Sequence, residues 1–167
     1  MVEKIYFDMD GVLADFDRGV EEICGVKSNK QESENPEADR LMWESISKTD
    51  HFYDRLEPMP GAIELFCFLF EKYGDRCQIL SAVPKPHRNI PTAREDKINW
   101  VKRLLPEGVI INLVYRAEKQ DFAKNRNCIL IDDYQINIDE WTKSGGTGVL
   151  FETAELAKET LQKILGE

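Results

Sequence analysis

Near the N-terminus, the apolar run Ile5-Tyr6-Phe7 leads into Asp8-Met9-Asp10-Gly11, so a strand-forming segment ends in two closely spaced carboxylates and a glycine. Such a run reads as a buried strand, and the glycine supplies the turn after it. In an open parallel sheet, sites lie just beyond the carboxyl ends of the strands, which is where Asp8 and Asp10 are expected. Carboxylates this close repel, and burying them without a partner is costly. A divalent cation is the simplest compensation, and Mg²⁺ suits a set of oxygen ligands. Taken alone, the same pattern also fits a strand that ends in a solvated acidic turn.

The rest of the chain alternates strands with helices. Apolar segments at 76–81, 109–115, 128–131 and 148–151 predict four more strands. Helical patterns cover 61–73, the stretch through Ile98, Val101 and Leu104 up to Pro106, then 136–142 and 152–165, and another helix can begin near Val12. This alternation predicts an α/β fold with a five-stranded, mainly parallel sheet flanked by helices. Residues 15–60 are too many for a plain crossover and too polar for core, and predict a small helical cap inserted after the first strand. Within it, 27–39 reads as a polar loop or an exposed helical hairpin, and 41–46 as a short amphipathic helix. Residues 1–14 and 61–167 then form the core.

At 167 residues, the chain is long enough for one domain with a real interior. Its net charge of −9 argues against nucleic-acid polymers and anionic membranes as partners. Any phosphate-bearing ligand must therefore be held by a local group of cations or by metal. No apolar run is long enough to span a bilayer, and no secretory signal pattern stands at the start, so a cytoplasmic location is expected. The four cysteines form no Cys-x-x-Cys pair, in keeping with reduced, mostly buried thiols, Cys128 among the core.

Other predicted strands also end in polar residues. The second ends at Ser81, the fourth at Asp132-Asp133, and Lys119 lies just ahead of the fourth. Together with Asp8 and Asp10 they comprise a candidate nucleophile, an acid/base, a hydroxyl, a cation and further metal ligands. A carboxylate nucleophile splits one displacement into two easier ones, and phosphoryl transfer needs mainly positioning and charge neutralisation.

The Asp8-Met9-Asp10-Gly11-Val12 run resembles the first motif of the haloacid dehalogenase (HAD) superfamily; Leu80-Ser81 resembles the second, Lys119 the third and Asp132-Asp133 the fourth. More closely, DMDGVLADF at 8–16, LEPMPGA at 56–62, KINWV at 97–101 and LIDD at 130–133 resemble the 5′(3′)-deoxyribonucleotidase branch. The resemblance implies a Rossmann-like core and a Mg²⁺-dependent phosphomonoesterase acting on a small phosphorylated metabolite, a nucleotide above all. It implies Asp8 as nucleophile and Asp10 as general acid/base. The metal would be held by Asp8, the Asp10 carbonyl and Asp132, with Asp133 in support. Ser81 and Lys119 would grip the phosphate, Lys85 and Lys97 fall near phosphate-contacting lysines, and Phe16 falls at a base-stacking aromatic.

Ala82 departs from the pattern, standing where such relatives keep a second hydroxyl. Trp43, Phe52 and Tyr53 read as packing residues of the cap before a stacking wall, and His51 and His87 as plain loop residues. Two other readings stay open at this point: a phosphatase for sugar phosphates or similar metabolites, and a catalytically silent relative that binds a nucleotide or a partner.

Overall fold

The computed structural model describes residues 1–29 and 35–166. Five strands form one sheet: β1 (Lys4–Phe7), β2 (Cys77–Ala82), β3 (Ile110–Val114), β4 (Cys128–Asp132) and β5 (Thr147–Leu150). Their order is β3-β2-β1-β4-β5, and all of these pairings are parallel. The chain moves outward from β1 in one direction through β2 and β3, then in the other through β4 and β5. The direction reverses beside β1, which opens a crevice at the carboxyl ends of β1 and β4.

Among the described residues, six α-helices accompany the sheet: α1 (Phe16–Gly19), α2 (Pro36–Ser47), α3 (Ala62–Tyr73), α4 (Ala93–Leu104), α5 (Gln135–Lys143) and α6 (Ala154–Leu165). Strand side chains alternate between two apolar clusters. Ile5, Phe7, Ile129 and Ile131 pack with Leu65, Phe66 and Leu69 of α3 and Leu161 of α6. Tyr6, Leu80 and Leu130 pack with Ile138 and Trp141 of α5.

Trp141 is fully buried and donates its indole N–H to the Cys128 carbonyl at 3.2 Å. A Cβ at Gly146 would overlap the Trp141 indole nitrogen, so the turn before β5 requires a residue without a side chain there. Gly146→Ala is expected to destabilise the fold by about 1–3 kcal/mol through overpacking. Denaturant titration checks this; an unchanged midpoint would mean that the indole has room to move.

The segment after β1 differs from expectation, which put a helix start near Val12. Helix formation waits until Phe16 because the amides of Val12, Leu13 and Ala14 all turn back onto the Met9 carbonyl, at 2.9 to 3.1 Å. Gly11 takes φ 83°, the left-handed region that only glycine adopts without strain. Asp15 then caps α1, its carboxylate accepting from the Arg18 amide. One π-helical turn, Val20–Cys24, continues it and stops at Gly25.

α2 begins earlier than its apolar pattern indicates. Asn35 accepts from the Ala38 amide and Pro36 occupies the first turn, a strong start signal. The expected polar stretch 27–39 therefore ends in a helix, and its residues 30–34 lie outside the described residues.

After α2, residues 50–56 are fastened to α4. Trp100 donates to the Leu56 carbonyl at 2.8 Å, and Arg103 donates to the Asp54 carbonyl at 2.6 Å and to its carboxylate. His51, expected to be a plain loop residue, sits 2.7 Å from buried Asp96 and adopts φ 50°. That bond raises the imidazole pKa, with the Asp96 charge adding to it.

Candidate active site

The carboxyl ends of β1, β2 and β4 bring most of the expected site residues together. Asp8 follows β1, its amide donating to the Ile131 carbonyl of β4 at 3.0 Å, so the sheet ladder itself sets where its carboxylate sits. Asp132 closes β4 and is fully buried. Its Oδ1 accepts from the Tyr134 amide at 2.9 Å, and its Oδ2 accepts from Lys119 at 2.7 Å and Asn137 at 3.0 Å. Asp8, Asp132 and Asp133 each offer a carboxylate oxygen within 4.8 Å of the others.

Lys119 is carried by the short 3₁₀ segment Arg116–Phe122 and is almost wholly buried. Its ammonium lies 3.0 Å from Asp8 Oδ1 and 2.7 Å from Asp132 Oδ2. Burial works against that charge, yet the two carboxylates outweigh it and hold the lysine pKa above its ordinary range. Burial, with the Asp8 charge, pushes the Asp132 carboxyl up against the pull of Lys119.

Asp10 sits in the turn after β1 with its side chain 13% exposed, and Lys97 from α4 reaches it. The Lys97 ammonium donates to Asp10 Oδ2 at 2.9 Å, Ser81 Oγ at 2.8 Å and the Ala82 carbonyl at 2.9 Å. An ammonium has three donors, so all are occupied within the protein. The Tyr53 ring lies 4.6 Å from the same nitrogen. Burial first, and then the Asp10 charge, hold the Tyr53 phenol well above its normal pKa, keeping it neutral.

Among the described residues, Lys97 pairs with Asp10, and Lys119 with Asp8 and Asp132. The oxygen donors that Asp8, Asp132 and Asp133 bring together suit a hard divalent cation such as Mg²⁺.

Above these residues opens a cavity of about 340 Å³, lined by Asp8, Asp10, Asp133 and Lys119 and by the aromatic rings of Phe16, Trp43 and Tyr53. Its size is at the small-molecule end of the range for ligand sites. Lys85 stands exposed on its rim, whereas Lys97 and Ser81 are fully buried beneath it. Phe16 lines the cavity but is only 1% exposed and lies among Trp43, Phe52 and Tyr53.

Asn137 and Arg116 also line the cavity and escaped sequence reasoning. Asn137 donates to Asp132 and accepts from Arg116 at 3.1 Å, while Arg116 also pairs with Glu140 at 3.0 Å. The available signal was a polar residue one helical turn before Trp141, on the face of α5 that packs against the sheet.

A family model described as "5′ nucleotidase, deoxy (Pyrimidine), cytosolic type C protein" matches residues 1–159. The chain belongs to this family. A Vibrio phage KVP40 protein, provisionally named a 5′(3′)-deoxyribonucleotidase, is 33% identical over 129 residues; the match spans 77% of this chain and 65% of that one. Among solved structures, a dehalogenase crystallised as an intermediate complex superposes with TM-score 0.60 at 14% identity, over 99% of this chain and 98% of the other. A HAD family hydrolase from Deinococcus radiodurans R1, with bound phosphate and sodium, gives TM-score 0.52 at 13% identity, over 99% and 95%. The fold of this nucleotidase-family chain is accordingly the α/β core of the HAD hydrolases.

Proposed function

We propose that the protein is a Mg²⁺-dependent phosphomonoesterase that removes phosphate from a nucleoside or deoxynucleoside monophosphate through an aspartyl-phosphate. The observation that carries this reading is the placement of Asp8, Asp133 and Lys119 on the floor of a cavity whose far wall is aromatic, with buried Asp132 beside them. Family membership and the name of the phage relative support the same substrate class.

Asp8, the Asp10 carbonyl, Asp132 and Asp133 would hold Mg²⁺, which when bound neutralises charge on the phosphoryl oxygens. An Asp8 carboxylate oxygen attacks phosphorus, and the bond from phosphorus to the ester oxygen breaks. Asp10 gives its proton to the departing alkoxide. It then takes a proton from the water that attacks the aspartyl-phosphate, releasing inorganic phosphate and restoring Asp8. Lys119 steadies the Asp8 carboxylate and the phosphoryl group beside it. Lys97, with its donors already occupied, holds Asp10 and Ser81 in place. Lys85 meets the phosphate or sugar from the rim. Phe16, Trp43 and Tyr53 supply the surface against which a base lies, and the core and the 15–60 cap meet across the cavity.

The decisive experiment is phosphate release from a panel of nucleoside monophosphates and sugar phosphates, with Mg²⁺ and with a chelator. Nucleotides are expected to turn over fastest, and chelation to remove several kcal/mol of transition-state stabilisation, roughly 10³-fold in rate. Faster turnover of sugar phosphates would overturn the substrate assignment, and undiminished turnover in chelator would overturn the metal requirement.

A further inference from the structure

The loop after β2 and the cap helix α2 are joined by three side chains to which the proposed mechanism assigns no joint task. Trp43 of α2 donates its indole N–H to Asp39 Oδ1 at 3.1 Å. Arg88 donates to Asp39 Oδ2 at 3.2 Å, and its guanidinium carbon lies 5.0 Å from the centre of the Trp43 ring. Asp39 therefore binds both partners at once, one through each oxygen, while the guanidinium and the indole face each other. Phe16 approaches the same indole, with ring centres 6.3 Å apart.

Arg88 belongs to the core, in the 3₁₀ turn Pro86–Arg88, and Asp39 and Trp43 belong to the cap. The clasp crosses the mouth of the cavity, which Trp43, His87 and Arg88 all line. Another tie between cap and core, residues 50–56 on α4, is made partly by buried groups such as Trp100. The clasp is different: the Arg88 and Asp39 side chains keep 30% and 33% of their exposure. Each contact is modest at such half-exposed positions, and the clasp holds Trp43 by combining an indole hydrogen bond, an ion pair and a cation–π contact.

We propose that Asp39 and Arg88 are positioning residues that hold Trp43 rigid across the cavity, and that this makes the site select phosphate esters carrying a flat ring. The proposal rests on the phosphomonoesterase reading for the substrate class, but the clasp is defined by geometry alone. A wall fixed before the ligand arrives loses little side-chain freedom on binding, and that saving accrues to ligands with a ring to lay against it. A ligand that ends at the sugar gains nothing from Trp43, and its affinity does not depend on the clasp.

The test uses tryptophan emission. Trp100 and Trp141 are fully buried, whereas Trp43 is half-buried, so acrylamide reaches Trp43 first. In Asp39→Ala, acrylamide quenching is expected to rise. Equilibrium binding is then measured with Mg²⁺ in an Asp8→Asn background, which blocks turnover, using a deoxynucleoside monophosphate and ribose 5-phosphate as probes. Asp39→Ala should lower the preference for the nucleotide about tenfold, the order of one base–aromatic stack. Asp39→Asn keeps an oxygen for the indole N–H but loses the charge facing Arg88, and should recover part of that preference.

Unchanged quenching in Asp39→Ala would overturn the clasp. Increased quenching with an unmoved preference would overturn its role in selection. A protein whose nucleotide preference follows Asp39, but which hydrolyses no nucleotide when Asp8 is intact, would sink the phosphomonoesterase reading and leave the clasp standing.

Discussion

Asp8→Asn is expected to abolish phosphate release while leaving the fold intact and no less stable. The amide matches the carboxylate in shape and still fits a site that is 5% exposed. It is nevertheless a poor nucleophile, and the covalent route closes; losing a nucleophile of this kind costs on the order of 10⁴-fold or more in kcat. The stability sign follows from the local charges. Asp8 repels Asp132, and its charge helps push the buried Asp132 carboxyl up. Neutralising one carboxylate relieves that repulsion, and Lys119 keeps Asp132 as its partner. The metal-free variant should therefore melt at or above the wild-type temperature. Wild-type kcat in Asp8→Asn would eliminate the aspartyl-phosphate route; a much lower melting temperature would mean that the carboxylate is needed for folding.

Asp10→Asn is expected to lower kcat by about 10²–10⁴-fold, the usual contribution of a positioned general acid/base. Its stability should move the opposite way from that of Asp8→Asn. Lys97 is fully buried, and Asp10 is the carboxylate it contacts, at 2.9 Å. An asparagine oxygen still accepts the hydrogen bond but no longer balances the charge. Removing one partner of a buried pair outright costs about 3–5 kcal/mol, an upper bound here because the acceptor survives. Mg²⁺ affinity should hold, since the proposed ligand is the Asp10 backbone carbonyl. The rate loss should shrink for an ester such as p-nitrophenyl phosphate, whose leaving group needs little protonation. Equal losses on good and poor leaving groups would remove Asp10 from the acid/base role.

The sheet was largely legible because its strands are short apolar runs bounded by turn residues, and Asp8, Ser81 and Asp132 sit where those runs stop. Lys97 and Asn137 are harder to read, since a polar residue on a helix ordinarily faces water. Only the packing of α4 and α5 against the sheet turns them inward, onto Ser81 and Asp132. The helix expected to begin near Val12 starts later for a local reason. Val12, Leu13 and Ala14 look helical, but their amides are gathered by one carbonyl, that of Met9, and the helix waits for Asp15 to cap it. The contact of Arg88 with Trp43 joins residues far apart in the chain, and no local pattern announces it.

The central position of β1 has a consequence for synthesis. Lys4 pairs with Cys128 and Phe7 with Ile131, so the first strand made receives its second neighbour only when much of the chain has emerged. Until then a nascent chain can carry β1, β2 and β3, with one edge of β1 open as a template for stray strands. Asp8 is present from the start, but Lys119 and Asp132 are not yet beside it. A product cut short before Cys128 would thus be chemically inert and prone to clumping, and proteolytic clearance rather than rescue is its expected fate in the cell.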